Sequence, residues 1–152
     1  MTKRLATGAA ALLLALAGCG GGVSKDDYAD DLDEVCADIE KTTQEISQAE
    51  VSGPAELSAQ LDRIRAAIRD GIQRMKAIDR PDGEDGDRAE QYVTKLEATL
   101  NDEMLPALDD LEAAVKAKDE AKIRAAAARL QAIDNAETDR IARDLGADDC
   151  VS

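Results

Sequence analysis

The sequence predicts an all-α protein: an antiparallel up-down-up-down four-helix bundle that follows a cleaved N-terminal signal peptide. Three observations predict it. Four segments carry apolar residues at a spacing near 3.6, and no segment of useful length alternates as a strand does. The links between them are mostly short, which favours antiparallel neighbours. The composition is rich in Ala, with 29 among 152 residues, while Phe and Trp are absent. The formal charge of -14, from 19 Lys+Arg and 33 Asp+Glu, is the wrong sign for a nucleic-acid binder, whose surface must answer phosphates. The lack of His removes the usual general base and the commonest transition-metal ligand. High charge alone would suit a disordered chain, but the helical rhythm of Ala, Leu and Ile argues for a folded domain.

The first element is a sorting signal over residues 1–18. Lys3 and Arg4 form a basic head, and Leu5 to Ala17 form an apolar run too short for the roughly 20 residues a bilayer core needs. The run ends in Leu16, Ala17, Gly18 and Cys19. This L-A-G-C sequence resembles the lipobox of bacterial lipoproteins. The resemblance implies cleavage between Gly18 and Cys19 and a diacylglyceryl group on the Cys19 sulfur. Two acyl chains meet the requirement that stable anchoring takes two hydrophobic signals. The alternative is a plain secretory signal that leaves Cys19 unmodified. Removing Lys3 and Arg4 with the signal leaves 17 bases, 33 acids and a mature charge of -16.

Residues 19–24 are then the lipidated Cys and a Gly-rich tether, and 25–152 the bundle domain. The five residues Gly20 to Ser24 reach no further than roughly 18 Å, so the domain is expected close to the outer face of the cytoplasmic membrane.

Helix one is expected from Lys25 to Glu50, with Ser24 as its N-cap and Tyr28, Leu32, Val35, Cys36, Ile39 and Ile46 on one face. Val51-Ser52-Gly53-Pro54 breaks it, and Pro54 opens helix two, which runs to Ile78. Gly71 inside helix two costs up to about 1 kcal/mol against Ala, which close packing on a neighbour would explain. Asp79 to Gly86 reads as a loop. Helix three spans Asp87 to Lys116, with Tyr92, Leu96, Leu100, Met104 and Leu108 along its face and a kink expected at Pro106. Helix four runs from Asp119 to Leu145, with Ile123, Ala127, Leu130, Ile133, Ile141 and Leu145, a weak point at Asp134 to Thr138, and Gly146 as its C-terminal cap.

Helix charge supports the neighbour order. Helix one holds ten acids and two bases, helix two three acids and five bases, helix three eight acids and three bases, and helix four lies near neutrality. An antiparallel bundle separates the two acidic helices diagonally. The abundance of Ala and the missing large aromatics predict a narrow core, which argues against a roomy, aromatic-lined pocket for a drug-sized ligand.

Two cysteines remain after lipidation. In an exported domain Cys36 and Cys150 are expected to oxidise together, because the end of helix four would lie beside the start of helix one. Two free buried thiols are the alternative. Tyr28 ahead of Cys36, and Leu145-Gly146 ahead of Asp149-Cys150, resemble a group of small actinobacterial helical lipoproteins with a first-helix Cys and a C-terminal Cys. The resemblance implies the same pairing and no particular reaction.

Candidate chemistry is sparse. Asp26, Asp27, Asp30, Asp31, Asp33 and Glu34 spread around a helix and read as a solvated acidic face rather than a metal cage. In Asp82-Gly83-Glu84-Asp85-Gly86-Asp87 the calcium-loop register would put Pro81 or Ile78 at the first ligand position, so the EF-hand reading fails. A di-iron bundle needs Glu-x-x-His pairs that a chain without His cannot supply. Tyr28 and Tyr92 read as helix-interface residues. The polar patch Asp134, Asn135, Glu137 and Thr138, against the Pro106 kink, is the place to look for a small-solute or partner site. No catalytic residue, metal or cofactor is assigned. The expected role is a non-catalytic interaction or structural module of the cell envelope, held to the membrane by its lipid and facing an envelope protein partner. The alternative is a lipoprotein that binds a small solute or divalent cation for a membrane partner.

Overall fold

The computed structural model describes residues 22–151. The expected signal peptide over residues 1–18, the expected cleavage between Gly18 and Cys19 and the expected lipidation of Cys19 lie outside the described residues, as do Gly20, Gly21 and Ser152.

All regular structure among the described residues is helical, arranged as four rods. The first rod is α1 (Lys25–Ser47) and the second α2 (Pro54–Ala77). The third joins α3 (Glu84–Thr99), a π-helical turn (Leu100–Met104) and α4 (Leu105–Ala117). The fourth is α5 (Glu120–Gln131) followed by α6 (Ala136–Leu145), and a 3₁₀ turn (Asp148–Cys150) is the last element among the described residues. Along their backbones α1 packs on α2 and α6, α2 on α3 and α4, α3 on α6, and α4 on α5.

The ends of the helices follow from local chemistry. Ser24 is extended, and its hydroxyl oxygen accepts from the Asp27 N–H at 3.1 Å. Pro54 opens α2, where a missing N–H costs nothing. Lys118 adopts a left-handed conformation at φ 55° to close α4, and Asp119 caps α5 by accepting from the Lys122 N–H at 3.1 Å. Two residues therefore suffice to reverse the chain there. Gly146, at φ 89°, closes α6 as its position predicts.

The structure corrects the expected boundaries in three places. Glu84 and Asp85 belong to α3 rather than to the loop. Acids are favourable in a first turn, and Arg88 holds both, with Asp85 at 3.0 Å. Gly86 is needed in that turn, because a Cβ would run into the backbone carbonyl oxygen of Pro81. In the third rod, Pro106 offers no N–H to Asp102, and the preceding turn widens into a π-helix whose Leu105 N–H reaches back to the Leu100 carbonyl. The fourth rod is two helices. Asp134 accepts from the Ala136 N–H at 2.9 Å and Thr138 donates to the Asn135 carbonyl at 2.8 Å, so polar side chains take up backbone groups that a continuous helix would have used.

The main core gathers Tyr28 and Leu32 from α1, Ile72 and Met75 from α2, Tyr92 from α3, and Ile141 and Leu145 from α6. Gly71 lies against Ile39, where an added Cβ would sit 2.5 Å from Ile39 Cγ1 and closer still to Cδ1. The interior glycine thus serves the close approach of α1 and α2. The bases of α2 reach acids on both sides: Arg74 pairs with Asp38 of α1, Lys76 with Glu97 of α3 at 3.1 Å, and Arg65 with Asp109 and Glu112 of α4 at 2.9 and 3.0 Å. Arg65 is only 7% exposed, so its network is more consequential than the surface pairs, which contribute about 0–1 kcal/mol each.

Candidate functional site

The site is assembled around a covalent bond. Cys36 and Cys150 are disulfide-bonded, with Cα atoms 5.2 Å apart and a separation of 114 in sequence. Two local features bring them together. Cys36 lies one turn beyond Leu32 on the buried side of α1, and Cys150 Sγ rests 3.5 Å from the Leu32 carbonyl oxygen. The left-handed Gly146 turns the chain out of α6, and the Asp149 N–H then donates to Asp33 Oδ1 at 2.9 Å, clamping the tail to α1. Burial, partly offset by that hydrogen bond, raises the Asp33 carboxyl above its usual range.

The disulfide forms one wall of a partly open cavity of about 580 Å³. Ile39 of α1, Ile68, Ile72 and Met75 of α2, and Leu96 of α3 supply its apolar sides. Leu100 and Met104 enter from the π-helical turn, Asn135 from the break between α5 and α6, and Thr138 from the first turn of α6. Both irregularities therefore face the same space. This overturns the expectation of a narrow core without a ligand-sized pocket. Small side chains do let helices approach, but where two rods depart from regular geometry no Phe or Trp is present to fill the gap.

Tyr92 is the aromatic wall, 2% exposed, with its hydroxyl 4.0 Å from Cys36 Sγ. A disulfide sulfur carries no proton, so in this weak contact the phenol is the donor. Burial, followed by the neighbouring Tyr28, keeps the Tyr92 phenol far above its usual pKa, so it remains neutral. Tyr28 is fully buried and its hydroxyl has no hydrogen-bond partner among the described residues; burial raises its pKa as well.

Hydroxyls and carboxylates make up most of the remaining lining. Thr43 donates back to the Ile39 carbonyl at 2.8 Å, and Thr138 is engaged with Asn135, so both hydroxyls are satisfied by their own helices. Glu40, Asp139 and Asp149 add three carboxylates, and no Lys or Arg lines the space. Glu40 accepts from Gln44 at 2.7 Å.

The four residues of the sequence-defined polar patch separate. Asn135 and Thr138 line the cavity, Asp134 is consumed in capping α6, and Glu137 pairs with Lys95 of α3. The apolar residues Ile68, Leu96 and Met104 were legible only as a core face. The signal that could have singled them out is the coincidence of Pro106 with the weak point in helix four.

Among the described residues no group of three or more His, Cys, Asp or Glu side chains is arranged to hold a metal ion, and no helix is long and apolar enough to cross a membrane. A second depression of about 600 Å³ lies between α4 and α5, lined mainly by alanine methyls with Asp110, Lys122 and Arg129. Arg129 and Asp110 pair with each other there. Comparison with known proteins finds no matching family model, curated protein or solved structure.

Proposed function

We propose that this chain is a lipid-anchored extracytoplasmic lipoprotein whose helical body is a non-catalytic binding module, its rods running alternately up and down. The observation that carries the proposal is the disulfide that walls an apolar cavity. Disulfides persist where thiols are oxidised, outside the cytoplasm. That agrees with an N-terminal basic head, a short apolar run and L-A-G-C ending at Cys19.

The cavity favours capture of a small solute over a purely structural role. Its volume falls within the roughly 300–1,000 Å³ typical of ligand sites, and its walls are largely apolar. Non-catalytic action is supported by the lining itself, where the hydroxyls of Thr43 and Thr138 are bound to backbone carbonyls and no imidazole exists in the chain to activate a nucleophile. An envelope protein partner would receive the solute. The two-residue reversal between α4 and α5, and the packing of α1 on both α2 and α6, support the alternating direction of the rods.

Membrane fractionation tests the anchor. The native chain is expected in the membrane fraction and the Cys19→Ala variant in the soluble extracytoplasmic fraction. Retention of that variant in the membrane would reject lipid anchoring through Cys19.

A further inference from the structure

We propose that the Cys36–Cys150 disulfide is a redox latch: a dithiol reduces it, the tail of residues 148–151 swings away, and the cavity loses one wall while the helical body stays folded. The loss of a bound solute rests on the small-solute reading above; the release of the tail does not. The latch follows from where the chain is held. Ala147 is completely buried and its N–H donates to the Ala142 carbonyl at 3.0 Å, so the end of α6 is fixed up to that residue. Past it the tail has little hold of its own. The 3₁₀ turn is closed by backbone bonds of 3.4 and 3.3 Å, local to residues 147–151. The Asp149 N–H reaches Asp33 Oδ1 at 2.9 Å, but in an exposed position where water competes. The disulfide is therefore the strong tie, and it holds Asp149, Cys150 and Val151 in place as lining residues of the cavity.

Both cysteines are half-buried and border the partly open cavity, which gives a thiolate access to the bond. The surroundings of the two sulfurs differ. Cys150 Sγ lies 3.5 Å from the Leu32 carbonyl oxygen, which disfavours negative charge there. Cys36 Sγ lies 4.0 Å from the neutral Tyr92 hydroxyl, a donor that favours it. The better leaving group is therefore Cys36, and attack falls on Cys150. The incoming thiolate bonds to Cys150 Sγ, the S–S bond breaks, and its electron pair departs on Cys36 Sγ. The dithiol's second thiolate then attacks its own partner sulfur in the mixed disulfide and expels Cys150 as a thiolate. The two cysteines take up two protons in place of those the dithiol released. The dithiol ends as a disulfide, and the protein has gained its two electrons.

The full chain in phosphatidylcholine nanodiscs, compared with and without dithiothreitol, tests the latch. At labelling times of seconds, hydrogen exchange is expected to accelerate at least tenfold in residues 148–151 and to stay unchanged in α1 and α6, with helix content retained by circular dichroism. Cys36→Ser with Cys150→Ser should copy the reduced state without reductant. Tyr92→Phe should slow reduction about threefold or more, and an unchanged rate would overturn the assigned direction of attack. Dodecan-1-ol, an uncharged probe followed by equilibrium dialysis with empty discs subtracted, should bind the reduced chain at least tenfold more weakly. Loss of helix on reduction would overturn the latch and make the bond a staple of the whole fold. Equal exchange of the tail in both redox states would overturn it as well. Release of the tail with the alcohol bound to neither form would support the latch and reject the small-solute reading.

Discussion

The half of the molecule closed by the disulfide and the hairpin of α4 and α5 are built from the same helical pattern but to different depths. In the first, Tyr28, Leu32, Ala142 and Leu145 are completely buried, and the main cluster draws on α1, α2, α3 and α6. That cluster has no member from α4 or α5. In the hairpin the fully covered residues are Ala107, Leu108, Ala114 and Ala126, while Leu111, Val115, Ile123 and Leu130 remain half-buried. Ala126 rather than Ala127 takes the inner position of α5. The hairpin is instead tied to α2 through Arg65. Two layers of methyls bury less apolar area per residue than the Tyr and Leu layers opposite, so the two halves should differ in how firmly they hold.

The largest test of that contrast is the disulfide. Replacing Cys36 and Cys150 together by Ser should lower stability by about 4–5 kcal/mol, the chain-entropy value for a loop of this length, as read from urea denaturation. A loss below about 1 kcal/mol would place the strength of this half in its packing alone. Next comes a matched pair of truncations. Leu32→Ala should cost about 3–4 kcal/mol and Leu130→Ala about 1 kcal/mol, because only the first opens a sealed cavity. Equal losses would erase the distinction.

Arg65→Ala should cost about 2 kcal/mol and act mainly on the hairpin, which hydrogen exchange would show as faster opening of α4 and α5 than of α1. Uniform acceleration over all helices would contradict that attachment. The smallest effect is on the acid limb. Lys116 foremost, with Ser58 and Arg65, holds the Glu112 carboxyl at a pKa of about 2, below its ordinary 4.5. Its folded-state pKa is depressed, so its contribution is complete above about pH 4.5 and disappears as the pH falls through about 2. Glu112→Gln should therefore flatten stability between those values, measured by urea midpoints across pH, and an unchanged slope would remove Glu112 from the network.

Much of this architecture was legible in residues that act on their near neighbours. Ser24, Pro54 and Gly146 mark helix ends through a hydroxyl acceptor, a missing N–H and a left-handed φ, none of which depends on distant chain. Pro106 and the Asp134–Thr138 stretch were readable as disturbances, though not as a π-helical turn and a full break. Glu84 and Asp85 were misleading because acids suit both a loop and a first turn, and only Arg88 decides between them. Half of the polar patch, Asn135 and Thr138, reaches the cavity, while Asp134 and Glu137 are engaged elsewhere.

Periodicity and capping, which operate within four residues along the chain, were enough to specify an all-helical body and the positions where its rods begin and end. Tertiary packing alone decided which apolar faces were sealed and which stayed half open. Burial depends on the volume of side chains contributed by segments far apart in sequence. Ile39 meeting Gly71, Cys150 returning to Leu32, and Met104 and Asn135 lining one cavity are all encounters of that kind.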